Sequence, residues 1–286
     1  MLEEIKLIAL DLDGTLIRRD NKPSNITKTA LNNLRKSGVE VVISTGRRFR
    51  SAQMVIENLG FEAYCVCNGG ALVKDPKQNT VLNSTFLPEE VLHITHLARK
   101  NNLAITAQRD SHTLGGADFI IDNHVDWHEG IQAYFDNNKA YADQADLLEA
   151  YQDQHSNFLA LATFDTKARL ENLVSELKDD ARYNVTLVSQ IGGDAHYCEI
   201  TKCHVDKWHG LKHLAEIFDL KASNICAVGD ELNDLAMVKA AGLGVAMENA
   251  HLQLKEVSDM VCGHHTEDGL LEVFDFIHKH NQNFSA

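Results

Sequence analysis

The feature that most constrains this chain is an apolar run at residues 5–10 that stops abruptly in Asp11-Leu12-Asp13-Gly14-Thr15. A strand buried on both faces reads this way, because neither side has to meet water, and the polar stop marks its exit into a loop. The pattern returns further on. A helix is expected over residues 27–36, with Leu31 and Leu34 facing inward and Ser37-Gly38 ending it. Residues 39–43 then form a second apolar strand that stops in Ser44-Thr45-Gly46-Arg47. Parallel neighbours require long crossovers, so this alternation predicts an α/β chain: a doubly wound parallel, Rossmann-like sheet with helices on both faces.

The last third resumes the rhythm. Residues 197–200 read as a strand, 209–218 as a helix, 225–228 as a strand ending in Gly229-Asp230, 233–240 as a helix and 244–247 as a strand. Between the two stretches the character changes. Pro88 opens a helix, residues 103–108, 157–164 and 184–189 read as strands, and 167–177 as a helix with Asp165 as its N-cap. At 286 residues the chain exceeds the roughly 100–150 of a common domain, so two units are expected. Residues 1–83 and 191–286 would form the core. Residues 84–190 would form an inserted α+β cap lying over the loops of the core sheet.

A formal net charge of −14 disfavours nucleic acid and anionic membrane surfaces as partners. No run approaches the ~20 apolar residues that span a bilayer, and Glu3 and Glu4 do not suit the start of a secretory leader. The six cysteines are scattered, which suits reduced thiols better than a disulfide framework, so a cytoplasmic location is expected.

Separate strand ends present Asp11 and Asp13, Thr45, and Asp230, Asn233 and Asp234. In an open parallel sheet such ends converge on one crevice. An isolated Asp-x-Asp-Gly is most often a turn; here the carboxylates come from distant segments. Together the motifs resemble the haloacid dehalogenase superfamily of phosphohydrolases, in its Cof-type branch with a large inserted cap. Asp11-Leu12-Asp13-Gly14-Thr15-Leu16 resembles the first motif, Ser44-Thr45-Gly46-Arg47 the second, Lys207 the third and Gly229-Asp230-Glu231-Leu232-Asn233-Asp234 the fourth. Cys67-Asn68-Gly69-Gly70 resembles the Asn-Gly-Ala stretch of that branch. One departure is Trp208-His209, where the family commonly has a glycine straight after the lysine.

The resemblance implies a Mg²⁺-dependent phosphatase acting on a small phosphorylated metabolite, such as a sugar phosphate or a cofactor phosphate, through an aspartyl-phosphate. A sugar phosphomutase and a non-catalytic phosphate-binding regulator are the alternatives on the same scaffold. Asp11 would be the nucleophile and Asp13 the acid and base. Asp11, Asp230 and the Asp13 carbonyl would hold Mg²⁺, with Asp234 supporting them. Leu12, Thr45, Gly46, Lys207 and Asn233 would bind the substrate, with Lys202 or Lys212 as alternatives to Lys207.

His209 and His213 share a helix face at metal-binding spacing but read as ordinary surface, and Cys65 and Cys67 read as core. Gly242-x-Gly244 lacks the rest of a dinucleotide fingerprint, and no phosphate-loop motif is present. Arg109, His112, Asp122, His124, Trp127 and His128 read either as loop surface or as a substrate-selecting face of the cap.

Overall fold

The computed structural model describes residues 2–111, 115–150, 157–192 and 195–284, with the backbone alone for 188–192. The first stretch holds β1 (Leu7–Leu10), α1 (Asn25–Lys36), β2 (Glu40–Ser44), α2 (Phe49–Leu59), β3 (Tyr64–Cys67), β4 (Leu72–Lys74) and β5 (Thr80–Asn83). Next come α3 (Pro88–Lys100), β6 (Thr106–Arg109), β7 (Phe119–Asp122), α4 (Glu129–Asn138), β8 (Ala142–Ala145), α5 (Leu147–Ala150), β9 (Phe158–Thr166), α6 (Lys167–Lys178), β10 (Tyr183–Gly192) and β11 (Ala195–Lys202). The chain ends with α7 (Lys207–Ile217), β12 (Ile225–Gly229), α8 (Leu235–Ala240), β13 (Leu243–Met247), α9 (Leu252–Val257), β14 (Met260–Cys262) and α10 (Leu270–Gln282). Two compact units result: one built from the segments up to Leu82 and from Asp206 onward, the other from Asn83–Val205.

The first unit carries one sheet in the order β14-β13-β12-β1-β2-β3-β4-β5. From β14 to β3 all neighbours are parallel, and β4 turns back antiparallel to β3. Counted in chain order, the parallel strands run 3-2-1-4-5-6, so the winding reverses between β1 and β12, where open α/β sheets keep their binding crevice. Leu10 lies level with Ile43 on β2 and with Val228 on β12, which brings the three polar exits side by side. Strands β1 and β12 are buried along their whole lengths, as their unbroken apolar sequences require. Helix α1 starts where the Ser24 hydroxyl accepts the Thr27 N–H at 3.0 Å, and it buries Leu31 and Leu34. Cys65 and Cys67 are fully buried on β3.

The second unit is α+β, with strand order β10-β11-β9-β6-β7-β8. Ile120 joins a cluster with Val91 and Ile94 of α3 and Leu170 and Leu173 of α6. Its neighbours Phe119 and Ile121 pack with Ile131 and Phe135 of α4. Alternate residues of a strand point to opposite faces, so both faces of this sheet are covered by helices. Residues 197–200 differ from expectation. They belong to β11, which pairs antiparallel with both β9 and β10, so the second unit extends to Val205 instead of ending at 190. Asp165 is not the N-cap of α6; Thr166 holds that position, and Asp165 accepts the Thr166 N–H at 2.8 Å and pairs with Arg169 at 3.0 Å.

The polar stretch of this unit is largely structural. Asp122 is fully buried, receives a two-pronged contact from Arg99 at 2.8 and 2.6 Å, and accepts the Leu147 N–H at 3.2 Å. Trp127 donates to the Asp122 carbonyl, Arg109 donates to the Ala117 carbonyl, and His128 caps α4 by accepting the Gly130 N–H. His124 is an exposed neighbour of Asp146, and His112 lies outside the described residues. Among the described residues, no helix is long and apolar enough to cross a membrane. Removing one partner of a buried ion pair strands the other, so Asp122→Ala should lower unfolding stability by about 3–5 kcal/mol, read from urea melts. Asp146→Ala, at a half-exposed partner of the same arginine, should cost much less.

Candidate active site

The loop after β1 is tied back on itself: the Leu12 carbonyl accepts the N–H groups of Thr15, Leu16 and Ile17 at 3.0–3.3 Å. The Leu12 side chain is fully buried, so only its backbone can meet a ligand. Gly14 has φ +76°, and a Cβ there would lie 2.1 Å from Asp230 Oδ2, so the residue serves both the turn and the close approach of the β12 loop. Asp11 is 5% exposed, and its N–H donates to the Val228 carbonyl at 3.0 Å.

Lys207 is the first residue of α7, whose N-cap is Asp206. Its ammonium, 1% exposed, donates to Asp11 Oδ1 at 2.6 Å and to Asp234 Oδ1 at 2.5 Å. The other Asp234 oxygen accepts the N–H groups of Asp230 and Glu231, both at 3.0 Å. Gly70, φ +103°, makes room for this start of α7, since a Cβ there would fall 1.8 Å from the Asp206 carbonyl oxygen. Three residues after Lys207, Gly210 lets the helix lie against Val66 and Val73. Lys207 is thus the lysine brought to Asp11. Lys202 sits on β11 in the other unit, 3.8 Å from Glu90, and Lys212 is exposed.

Asp230 is held by the Thr15 hydroxyl, which donates to Oδ1 at 3.0 Å, and by Asn249 Nδ2 at 3.3 Å from Oδ2. Carboxylate oxygens of Asp11, Asp230 and Asp234 lie within 4.8 Å of one another. Burial raises the pKa of Asp11 despite the opposing pull of Lys207, and the Asp234 and Asp13 charges raise it further. Burial, then Asp11 and Asp234, push Asp230 up as well. Burial works against the Lys207 ammonium, but Asp11 and Asp234 more than offset it and hold its pKa above the ordinary lysine value.

Three carboxylates against one ammonium leave two negative charges unmatched in a buried pocket. A hard divalent cation with oxygen ligands fits that deficit and that donor set. Asp11 and Asp230 are the side chains suited to hold it. Asp234 is occupied on both oxygens by Lys207 and two backbone N–H groups, so it orients the others.

Asp13 points outward and is gripped by Arg47, with Nε 2.7 Å from Oδ2 and Nη2 2.5 Å from Oδ1, while Nη2 also reaches Asn21 Oδ1 at 2.7 Å. Thr45 is buried, its oxygen accepts the Arg47 N–H at 3.1 Å, and Gly46 follows it in the same loop. Among the described residues, Asn233 Oδ1 is buried without a hydrogen-bond partner. His213 Nε2 donates to the Val81 carbonyl at 3.0 Å, which gives it a structural contact. The sequence reading gave no role to Arg47, Thr15 or Asn249. Asn249 follows β13, so the strand-end rule that singled out Asp11 and Asp230 pointed to it too.

A profile described as haloacid dehalogenase-like hydrolase matches residues 8–274. Phosphatase YwpJ of Bacillus subtilis is 29% identical, covering 93% of this chain and 97% of the relative. The 5-amino-6-(5-phospho-D-ribitylamino)uracil phosphatase YcsE of the same species is 28% identical over 93% of each. HMP-PP phosphatase of Yersinia pestis is 26% identical over 88% of this chain and 86% of the relative. Among solved structures, a haloacid dehalogenase-like hydrolase from B. subtilis superposes with TM-score 0.79 at 26% identity, covering 95% of this chain and 99% of the other. One from Bacteroides thetaiotaomicron gives 0.77 at 25%, covering 96% and 99%. With the profile spanning nearly the whole sequence and the buried Asp–Lys–Asp cluster at the switch point of the sheet, this chain belongs to the haloacid dehalogenase-like hydrolases, a family of enzymes.

Proposed function

We propose that this enzyme hydrolyses a small phosphorylated metabolite in a Mg²⁺-dependent reaction that passes through an aspartyl-phosphate on Asp11. The observation that carries the reading is the buried cluster in which Lys207 bridges Asp11 and Asp234 beside Asp230. A carboxylate attacking a phosphate dianion meets charge repulsion, and Lys207 offsets part of it at the attacking oxygen. Bound Mg²⁺ would supply the remaining positive charge, held by Asp11, Asp230 and the Asp13 carbonyl.

An Asp11 oxygen forms a bond to phosphorus as the ester P–O bond breaks, and Asp13 gives its proton to the departing oxygen. Asp13 then takes a proton from the water that attacks the aspartyl-phosphate, which frees Asp11 and releases inorganic phosphate. The Arg47 fork fixes where the Asp13 carboxylate stands. Because the Thr45 oxygen already accepts an N–H, its own proton can go to a phosphoryl oxygen, alongside the Leu12 and Gly46 backbone amides. Asn233 supplies a further polar group with bonding capacity unspent. The names of the relatives that act on a ribitylaminouracil phosphate and on HMP-PP support a small soluble substrate. The six cysteines are thiols and not disulfides among the described residues, which supports a cytoplasmic setting.

Asp11→Asn should fold normally and lower kcat by roughly a thousandfold or more, measured as phosphate release from p-nitrophenyl phosphate. A variant with near-normal turnover would remove Asp11 from the nucleophile's role. Asp13→Asn should slow alkyl phosphates by about 10²–10⁴-fold. With p-nitrophenyl phosphate, whose nitrophenolate leaves without protonation, the first release of nitrophenolate should stay fast while steady turnover falls, because hydrolysis of the aspartyl-phosphate still lacks its base.

The raised pKa values of Asp11 and Asp230 carry a sign. Groups whose carboxyls titrate above their unfolded value of about 4 stabilise the metal-free fold below that pH and lose the contribution as pH rises. The melting temperature of the metal-free chain should therefore fall between about pH 5 and about pH 8, and saturating Mg²⁺ should raise it most at the higher pH. A gain that shrinks toward alkaline pH would contradict the charge-deficit argument.

A further inference from the structure

Asn249 lies two residues beyond the end of β13, and its amide touches three parts of the site. Nδ2 donates to the Gly14 carbonyl at 2.8 Å and to Asp230 Oδ2 at 3.3 Å. Oδ1 accepts the backbone N–H of His265 at 3.2 Å and lies 3.0 Å from His265 Nδ1. A carbonyl only accepts and an N–H only donates, so Gly14 on one side and the His265 amide on the other fix which end of the side chain faces which neighbour. Since Oδ1 is an acceptor, His265 Nδ1 carries a proton and donates it.

We propose that Asn249 and His265 are positioning residues that preset the Asp230 carboxylate for a divalent cation. The proposal rests on the reading that Asp230 helps to hold Mg²⁺. Thr15 pins one oxygen of Asp230 and Asn249 pins the other, so the carboxylate cannot turn about its own axis without breaking a hydrogen bond. Asn249 also ties that carboxylate to the Gly14 carbonyl, one residue past the Asp13 carbonyl assigned to the ion. The loop after β1 and the loop after β12 are thereby locked in one relation. His265 in turn stops the amide from rotating, because two of its N–H groups are spent on the same oxygen. A ligand whose orientation is fixed before binding loses less freedom when the ion arrives, which is why partners of metal ligands affect affinity strongly.

Isothermal titration of MgCl₂ into the metal-free full chain tests this without recourse to turnover. Asn249→Leu keeps the branched shape and removes the donors; its Mg²⁺ Kd should rise about 10- to 100-fold. His265→Ala should weaken binding about tenfold. His265→Asn should bind nearly as tightly as the unaltered chain, because an Asn amide nitrogen is as many bonds from Cα as His Nδ1. Unchanged affinity in Asn249→Leu, or equal losses in His265→Ala and His265→Asn, would overturn the proposal. Asp230→Asn separates the two levels. If it abolishes binding while Asn249→Leu keeps it, the positioning role alone falls; if the folded, unaltered chain binds no Mg²⁺, the metal reading falls with it.

Discussion

The contact between the Lys207 ammonium and the carboxylates of Asp11 and Asp234 joins three segments that are far apart in the chain, and it is buried from end to end. Ions in such a place are costly unless each is paired and hydrogen-bonded. Lys207 meets that condition with two carboxylates, and Asp234 meets it with Lys207 and two backbone N–H groups. Asp11 and Asp230 meet it only in part, and their raised pKa values register the shortfall. A site with an unmet demand for positive charge is suited to taking up a cation and an anion together, as phosphoryl transfer requires.

The fold places this cluster by a simple constraint. Parallel strands all end on the same side, and the winding reverses between β1 and β12, so the loops that follow them diverge and leave a crevice. Small residues then set the distances. Gly14 lets the first loop touch Asp230, and Gly70 lets the start of α7 come close enough for Lys207 to reach Asp11. The second unit uses buried charge differently. Its Arg99–Asp122 pair is closed and satisfied, with no vacant oxygen directed at a ligand.

Each relative resembles this chain at under 30% identity, yet the match runs through almost the full length. That combination shows a shared family while leaving room for the substrate to differ. Asp122, Trp127 and His128, which read from sequence either as loop surface or as a selecting face, are engaged in holding their own unit together.

Much was legible from sequence because it depends on local pattern. An unbroken apolar strand followed by Asp-x-Asp-Gly announces both a buried element and its polar exit, and several such exits in an alternating chain must converge. Segment pairing was not legible. Residues 197–200 look like any core strand, and only hydrogen bonding to β9 and β10 assigns them to the second unit, since a strand's sequence does not name its neighbours. The same holds for charge. Asp122 and Asp230 are equivalent as letters, but one is met by an arginine fork and the other by a hydroxyl, an amide and two competing carboxylates. Local pattern alone marks which residues stand at the strand ends; the folded arrangement settles which of them are left short of a counter-charge, because electrostatic energy depends on distance and burial, and neither is a property of a single position.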